Sequence, residues 1–311
     1  MKNPFVSRDV LASQLDRAGY VADHGLTTAI FLALELERPL LLEGVPGVGK
    51  TELAKVMSHL LKRPLIRLQC YCGIDIHNAV YDWNYAAQML HIRMAETLTA
   101  NAEPGSLKKE IYSTDFLVAR PLLASLQEKA APVLLIDEVD RTDEAFEALL
   151  LEYLGEFQVT IPEIGTVQAS ERPLVILTSN RSRDVNDALR RRCIYHWIEY
   201  PDRDREYQVL SRRYPELGES LLREIVTFVA RLREEPLVKP PGLAESIEWA
   251  QALKTLAITH LNPDVVETTV GLLLKYYDDI DLMTKTSDQG LTSLRQWMAE
   301  SGIRTTSTTP P

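Results

Sequence analysis

One glycine-rich segment restricts the folds open to this chain more than any other feature. It reads Gly44-Val45-Pro46-Gly47-Val48-Gly49-Lys50-Thr51 and matches GxxxxGK(S/T). It follows the apolar run Leu40-Leu41-Leu42 and precedes a stretch of helical spacing that begins at Glu52. Glycines let successive backbone N–H groups turn inward around an anion, and a following helix N-terminus adds partial positive charge. We therefore predict a nucleotide-phosphate site at residues 44–52, with Lys50 on the β- and γ-phosphates and Thr51 on Mg²⁺; the alternative is an ordinary glycine-rich turn.

Four further apolar runs of strand length follow along the chain, and helical stretches separate them. They occupy residues 64–68, 133–136, 174–177 and 193–198. Strands that alternate with helices predict a parallel sheet covered by helices on both faces. The expected fold class is therefore α/β, with a five-stranded parallel sheet.

The pattern changes at Asp202, after which strand-like runs stop and prolines interrupt helical spacing. We expect an α/β nucleotide-binding domain over residues 1–201 and an all-helical lid domain over residues 202–302. Residues 303–311, IRTTSTTPP, are polar and end in proline. Such a segment favours a disordered tail.

Two adjacent carboxylates follow the third apolar run. Asp137 and Glu138 come directly after residues 133–136, and ligand sites of α/β proteins lie at the carboxyl ends of such strands. We expect Asp137 to hold Mg²⁺ through its water shell and Glu138 to polarise an attacking water, which a hydrolase needs and a small-molecule kinase does not. The alternative is that the pair caps the next helix. Arg141 forms either a contact across a subunit interface or a salt bridge within the domain.

An amide and a basic cluster complete the candidate site. Asn180 ends the fourth run, where its amide would hydrogen-bond the attacking water, although strand-end Asn is also a common turn former. Arg190, Arg191 and Arg192 precede the fifth run. They form either a solvated basic turn or an arginine finger that acts on the nucleotide of a neighbouring subunit.

Charge and cysteine content argue against several classes of function. The 34 basic and 44 acidic side chains give a net charge of -10, whereas non-specific binding to nucleic acid or anionic membranes needs surplus Lys and Arg. The N-terminus lacks the apolar core of a signal peptide, and no apolar run approaches the ~18 residues of a bilayer span. Cys70, Cys72 and Cys193 supply no metal-ligand quartet. We expect a cytoplasmic protein with reduced thiols, without membrane contact and with no general affinity for nucleic acid.

Together these residues resemble the AAA+ ATPases over residues 20–300, with a Walker A motif at 44–51 and a Walker B pair at 137–138. Within that class the chain is similar to the MoxR family. Residues 157–170 resemble the β-hairpin before sensor 1, and residues 70–120 correspond in position to the helix-2 insert. The strings GIDIHNAVYDWNYAAQMLHIR, DFLVARPLL and DALRRRCIYHWIEYPD look like the subgroup that includes the carbon monoxide dehydrogenase accessory (CoxD-like) ATPase.

This resemblance implies a Mg²⁺-dependent ATPase that forms a homo-hexamer with ATP at its subunit interfaces. It implies a partner protein with a von Willebrand factor A domain, and chaperone-like remodelling or maturation of a client metalloenzyme, in the named subgroup a molybdenum-copper hydroxylase. It assigns Asn180 as sensor 1 and Arg192 as the arginine finger, with Arg191 in that role if the register shifts by one.

The chain departs from the family's pattern in the lid. Many MoxR members carry a sensor-2 arginine at the start of a lid helix, and Glu245 stands there in this sequence. Either Lys239 replaces that arginine or the lid senses nucleotide through packing alone. Cys72 stands where the subgroup has an acidic residue, either as a neutral substitution or as a reactive thiol.

Two other functions fit the same motifs. A nucleic-acid motor or clamp-loader-like ATPase shares the Arg192-Cys193 element, but the chain has no basic stripe interleaved with aromatics. A nucleotide-gated switch with little turnover fits the missing sensor-2 arginine. The MoxR-type chaperone is the leading hypothesis.

Overall fold

The computed structural model describes residues 3–98, 110–284 and 297–298. The strands, in chain order, are β1 (Leu40–Gly44), β2 (Leu65–Gln69), β3 (Tyr81–Trp83), β4 (Leu117–Ala119), β5 (Val133–Asp137), β6 (Gln158–Ile161), β7 (Gly165–Gln168), β8 (Leu174–Ser179) and β9 (Ile194–Ile198). The helices are α1 (Arg8–Arg17), α2 (His24–Glu35), α3 (Lys50–Leu61), α4 (Ile76–Ala79), α5 (Tyr85–Leu98), α6 (Pro121–Gln127), α7 (Glu144–Glu156), α8 (Asp187–Arg192), α9 (Arg203–Arg213), α10 (Glu219–Leu232), α11 (Leu243–Thr255), α12 (Pro263–Thr269) and α13 (Tyr277–Thr284). The tail expected over residues 303–311 lies outside the described residues.

Five parallel strands form the central sheet in the order β2-β5-β8-β1-β9. Strand β5 pairs in parallel with β2 on one side and with β8 on the other, and β8 pairs in parallel with β1. Every residue of β1, β5 and β8 is buried. Strands covered on both faces read as continuous apolar runs, so the predicted α/β class and five-stranded sheet are confirmed.

Strand register brings the predicted site residues to one edge of the sheet. Glu43 pairs with Ser179, and Ile136 pairs with Leu177. Because parallel strands end at the same edge, the residues that follow β1, β5 and β8 lie near one another. This edge carries the start of the glycine-rich loop, the carboxylate pair and Asn180.

Helix α7 shares an apolar cluster with the strand that carries the carboxylates. Its N-cap is Asp143, whose side chain accepts a hydrogen bond from the Phe146 N–H at 2.9 Å. Phe146 and Leu150 of this helix share a buried apolar cluster with Leu134 and Ile136 of β5. The cap and the cluster fix the chain that runs from the end of β5 into α7.

The chain divides into two compact units. The described residues of Met1–Gln14, Ala22–Gly44 and Lys50–Trp197 form the first unit, and those of Leu15–Val21, Val45–Gly49 and Ile198–Pro311 form the second.

From α9 onward, the described part of the second unit is helical. Its core includes Leu222, Ile225 and Phe228 of α10, which recur at the spacing of one helix face, and Trp249 of α11. Trp249 is fully buried, and its indole N–H donates to Thr269 Oγ1 at 2.9 Å. Among the described residues, no helix combines the length and apolar character that a membrane crossing requires.

Two antiparallel strand pairs lie outside the central sheet. Strand β3 pairs with β4, within the described part of the region that resembles the helix-2 insert. Tyr81 and Trp83 of β3 are buried, whereas Tyr85 at the start of α5 is exposed. Strand β6 pairs with β7, which places a hairpin within residues 157–170.

Candidate active site

The loop between β1 and α3 has the backbone of a phosphate-binding nest. Gly47 and Gly49 adopt φ angles of 78° and 91°, in the left-handed region that glycine enters without steric cost. Lys50 opens α3, and its Nζ donates to the carbonyl oxygen of Gly44 at 2.8 Å. Val45, Pro46 and Val48 occupy the remaining loop positions, between β1 and the N-terminus of α3. Glu52 is exposed and pairs with Lys55 at 2.8 Å on the surface of α3.

Lys50 is a buried cation among acidic groups. Burial lowers the pKa of Lys50 to about 8, although the carboxylates of Asp140, Asp137, Glu138 and Glu43 oppose the shift. A poorly hydrated ammonium attracts an anion more strongly than one in water does. Lys50 is therefore suited to binding a phosphate.

The Asp137 carboxylate, at the end of β5, is buried and joins three other elements. Its Oδ1 accepts hydrogen bonds from Thr51 Oγ1 at 3.0 Å and from Thr178 Oγ1 at 2.6 Å. Its Oδ2 lies 2.6 Å from Nη2 of Arg67, on β2. Asp137 therefore links α3, β8 and β2.

The donor set at this junction fits Mg²⁺. The Thr51 hydroxyl and the Asp137 carboxylate supply hard oxygen ligands, and Mg²⁺ typically binds one or two such groups together with substrate phosphates and water. Within the part of the chain that the structure describes, no cluster of three or more His, Cys, Asp or Glu side chains forms a metal cage. Thr51 and Asp137 are the residues that would hold Mg²⁺ here, together with a bound phosphate.

Glu138 follows Asp137 in a left-handed conformation, with φ of 57°. Its N–H donates to Thr178 Oγ1 at 2.9 Å, and the same hydroxyl donates to Asp137. The Glu138 carboxylate is partly exposed, and its Oε2 lies 2.8 Å from Nε of Arg141. Of the two pairings left open for Arg141, the structure shows the salt bridge within the domain.

The loop that carries Asn180 is organised by a buried carboxylate. Asp140 Oδ1 accepts the Asn180 N–H at 3.2 Å, and its Oδ2 accepts the N–H and the hydroxyl of Ser182 at 2.8 and 2.7 Å. Burial acts to raise the pKa of Asp140, but the hydrogen bonds from Ser182 and Asn180 outweigh it, so the pKa is lowered. Asp140 holds the backbone of Asn180 just beyond β8.

The three arginines of α8 have different surroundings. Arg190 Nη2 lies 2.9 Å from Oε1 of the buried Glu43, which also accepts from Ser179 Oγ at 3.1 Å. Arg192 donates to the carbonyl oxygen of Leu151 on α7. The Arg191 side chain is exposed. Within the described residues, neither Arg191 nor Arg192 bonds to Asp137 or Glu138.

The residues that form this geometry match a known protein family. The model of the AAA domain (dynein-related subfamily) matches residues 39–193. This part of the chain is an AAA domain. The match runs from the start of β1 to the end of α8, so the phosphate loop, the carboxylate pair, Asn180 and the arginine cluster all lie within the AAA domain.

Sequence similarity to curated relatives covers more of the chain than the AAA domain does. An uncharacterized protein of Staphylococcus epidermidis is 25% identical over 231 residues, which cover 72% of this chain and 78% of the relative. An uncharacterized protein of Staphylococcus aureus is 26% identical over 207 residues, covering 64% of this chain and 70% of the relative.

Two solved structures align with most of the chain at low sequence identity. A mutant of Thermotoga maritima RuvB has a TM-score of 0.48 at 17% identity, covering 96% of this chain and 83% of that chain. A protein from Cytophaga hutchinsonii described as an ATPase has a TM-score of 0.44 at 17% identity, covering 94% of this chain and 93% of that chain.

Outside the matched AAA domain, the start of α11 shows what stands at the expected sensor-2 position. Glu245 Oε2 accepts the Gly242 N–H at 2.9 Å, and the Ala244 N–H donates to the Gly47 carbonyl at 2.9 Å. The two backbones approach closely, since a Cβ built on Gly242 would lie 2.6 Å from the Pro46 oxygen. The Glu245 carboxylate therefore caps its own helix at a junction that belongs to the second unit.

Sequence reasoning missed four side chains that shape the site in the AAA domain. They are Glu43, Arg67, Asp140 and Thr178. Thr178 and Glu43 stand at the ends of apolar runs, next to predicted site residues, and that position was an available signal. Arg67 and Asp140 had no comparable signal, because their roles depend on strand order and on the path of a loop.

Proposed function

We propose that this chain is a MoxR-type ATPase that hydrolyses MgATP and acts as a homo-hexameric chaperone ring. The observation that carries the ATPase part is the junction of Thr51 and Asp137, whose side chains meet at 3.0 Å. Lys50 precedes that threonine and Glu138 follows that aspartate. Phosphate-binding, metal-binding and base groups are therefore side by side, as phosphoryl transfer to water requires.

Each side chain has a distinct task in that reaction. Lys50 binds the β- and γ-phosphates, while Thr51 and Asp137 hold Mg²⁺, which offsets the charge of the phosphates. Glu138 accepts a proton from the attacking water, and the Asn180 amide orients that water.

The arginines at the end of α8 support the ring. Arg191 and Arg192 are exposed, and Arg192 contacts α7 of its own AAA domain instead of its own carboxylate pair. An arginine that stabilises the transition state of a neighbouring subunit must lie away from its own nucleotide. This arrangement supports Arg192, or Arg191, as a finger in trans.

The chaperone part of the proposal depends on the resemblance to the MoxR family. It comprises a von Willebrand factor A domain partner, a client metalloenzyme and a cytoplasmic location. The hairpin of β6 and β7 supports it, because the family carries a hairpin at this point of the chain. The net charge of -10 opposes the alternative of a nucleic-acid motor.

Two observations favour a second candidate, a nucleotide-gated switch with little turnover. The Glu138 carboxylate is engaged by Arg141 at 2.8 Å, and a carboxylate at Glu245 replaces the expected sensor-2 arginine. In this candidate ATP binds without efficient hydrolysis until a partner separates Glu138 from Arg141.

Nucleotide binding and turnover of two variants test the ATPase. Lys50→Ala should abolish ATP binding, because the phosphates lose their cation. Glu138→Gln should bind ATP and fail to hydrolyse it, because an amide cannot accept the proton. Lys129→Ala, at an exposed lysine in the loop after α6, is the matched control and should behave as wild type. Normal ATP binding by Lys50→Ala would refute the assignment.

Light scattering and subunit mixing test the ring. Glu138→Gln with MgATP should have about six times the 35.2 kDa mass of the chain. Mixtures of Arg192→Ala with Glu138→Gln subunits should regain some turnover, because some interfaces then combine an intact Arg192 with an intact Glu138. A monomer under all conditions, or no recovery in any mixture, would remove the shared site. Turnover that rises only when a partner is added would favour the switch.

A further inference from the structure

We infer that Arg67 is a positioning residue that takes the place of the metal at Asp137: its guanidinium neutralises the carboxylate while no Mg²⁺ is bound. The inference rests on the proposed ATPase function. It adds a role for β2, which the phosphate motif and the carboxylate motif do not include. It predicts that the site binds metal-free ATP more tightly with Arg67 than without it.

The strand register creates this contact. Strand β2 lies next to β5, with Arg67 opposite Leu135 and Gln69 opposite Asp137. Arg67 Nη2 lies 2.6 Å from Asp137 Oδ2 and also donates to Gln69 Oε1. The Gln69 amide thereby orients the guanidinium toward the carboxylate.

Burial gives the contact its importance. The Asp137 side chain is 4% exposed, whereas the Arg67 side chain is 52% exposed. A buried carboxylate without a cation is unfavourable, and removing one partner of such a pair leaves the other charge uncompensated. Arg67 therefore supplies the positive charge that stabilises the buried Asp137 carboxylate. Because the Arg67 side chain is itself exposed, it is free to change conformation.

The two oxygens of Asp137 have separate partners. Oδ1 accepts both threonine hydroxyls, from Thr51 and Thr178, and Oδ2 faces Arg67. A cation bound by the Thr51 hydroxyl would also contact the Asp137 carboxylate, which the Arg67 guanidinium already contacts. The two positive charges repel each other across one carboxylate, so Arg67 and Mg²⁺ compete for its charge.

The affinity for metal-free ATP is the property that Arg67 should affect most. Without Arg67, Lys50 has to offset the charge of both Asp137 and the phosphates, so metal-free ATP binds more weakly. MgATP brings its own cation, so its affinity depends much less on Arg67. The ratio of the dissociation constants for metal-free ATP and MgATP is therefore the quantity that Arg67 controls.

The experiment measures that ratio by equilibrium binding of a fluorescent ATP analogue to the full chain, in EDTA and in Mg²⁺. Arg67→Gln should raise the ratio about tenfold, the order expected for losing one close charge interaction. Arg67→Lys keeps the charge and should stay close to the wild-type ratio. Arg172→Gln is the matched control, since it removes an exposed arginine that pairs with Glu37 at 3.9 Å in the same unit.

A double-mutant cycle protects the test against misfolding. In the Asp137→Asn background the carboxylate charge is absent, so Arg67→Gln should no longer raise the ratio, and this double variant should fold even if Arg67→Gln alone is unstable. An Arg67→Gln ratio equal to wild type, or an equal rise in both backgrounds, would overturn the inference while leaving ATP binding intact. Absence of ATP binding by wild type in both conditions would instead overturn the ATPase proposal and the inference with it.

Discussion

Glu138 and Arg141 form an ion pair across a single turn of chain, with Arg141 Nε 2.8 Å from Glu138 Oε2. The turn is the short 3₁₀ helix Val139–Arg141, which follows the left-handed backbone of Glu138. One oxygen of the proposed general base is thus occupied by a guanidinium. A water that attacks ATP has to compete with Arg141 for this carboxylate.

Loss of this ion pair should raise basal turnover. We expect Arg141→Gln to increase kcat for ATP hydrolysis about fivefold, because a partly exposed ion pair contributes up to about 1 kcal/mol. The dissociation constant for ATP should not change. Steady-state kinetics and equilibrium binding check both statements. Arg223→Gln removes an exposed arginine paired with Glu219 at 2.9 Å on α10 and serves as the control. A lower kcat for Arg141→Gln would show that Arg141 assists the reaction.

Asp140 should stabilise the protein in a pH-dependent way. Asp140→Asn should lower the free energy of unfolding by about 1–3 kcal/mol at neutral pH, because three donors from Asn180 and Ser182 lose a charged acceptor. The folded-state pKa of Asp140 is lowered, so its contribution is complete above the unfolded-state pKa, near pH 4. It is lost as the pH falls through the folded-state value.

Urea unfolding of wild type and Asp140→Asn from about pH 7 to pH 3 tests this dependence. The difference between the two proteins should be constant at the upper end and shrink at the lower end. Asp184→Asn, in the loop that Asp140 contacts but with a side chain 81% exposed, should differ from wild type by less than about 0.5 kcal/mol throughout. A difference for Asp140→Asn that does not depend on pH would contradict the charge-based explanation.

The close approach at the start of α11 should not tolerate a side chain. A Cβ on Gly242 would lie 2.6 Å from the Pro46 oxygen and 2.9 Å from Glu245 Oε2. Gly242→Ala should therefore destabilise the protein by about 1–3 kcal/mol through overpacking. Gly271→Ala, where no atom lies within 4 Å of the built Cβ, should be nearly neutral. Thermal unfolding measures the destabilisation of both variants. Equal destabilisation would rule out the clash at Gly242.

Cysteine reactivity should be confined to one residue. Burial raises the pKa of the Cys70 thiol to about 12 and that of the Cys193 thiol to about 12, whereas Cys72 is exposed. A thiol-specific reagent should modify one site in the native protein, and Cys72→Ser should abolish the reaction. Mass spectrometry of the labelled protein gives the number of modified cysteines. Rapid labelling of Cys72→Ser would show that a buried thiol becomes accessible.

The central sheet and the clustering of the first candidate site residues at one edge of it were predictable because their signals are local. Buried parallel strands read as apolar runs, and the glycine pattern, Lys50 and Thr51 are contiguous in sequence. Asp137 and Glu138 follow a run of the same kind. Chemistry that depends on neighbours along the chain can be inferred before any fold is known.

Contacts that depend on strand order were not predictable. Arg67 reaches Asp137 only because β2 lies beside β5 in the correct register, and nothing near Arg67 in sequence indicates that partner. Asp140 contacts Asn180 and Ser182 because the chain after β5 lies beside the chain after β8. The Glu138–Arg141 pair was local enough to be one of two alternatives, and the structure shows this pair within the domain.

The position of β1 between β8 and β9 gives the AAA domain a mechanical property. Before β1, Arg38 donates to the carbonyl oxygens of Arg191 and Arg192 at 2.6 and 3.2 Å. At the other end of β1, Glu43 holds Arg190 at 2.9 Å. Both ends of this buried strand are therefore bonded to α8. A displacement of α8 would therefore be passed to both ends of β1, the strand that directly precedes the glycine-rich loop in the sequence.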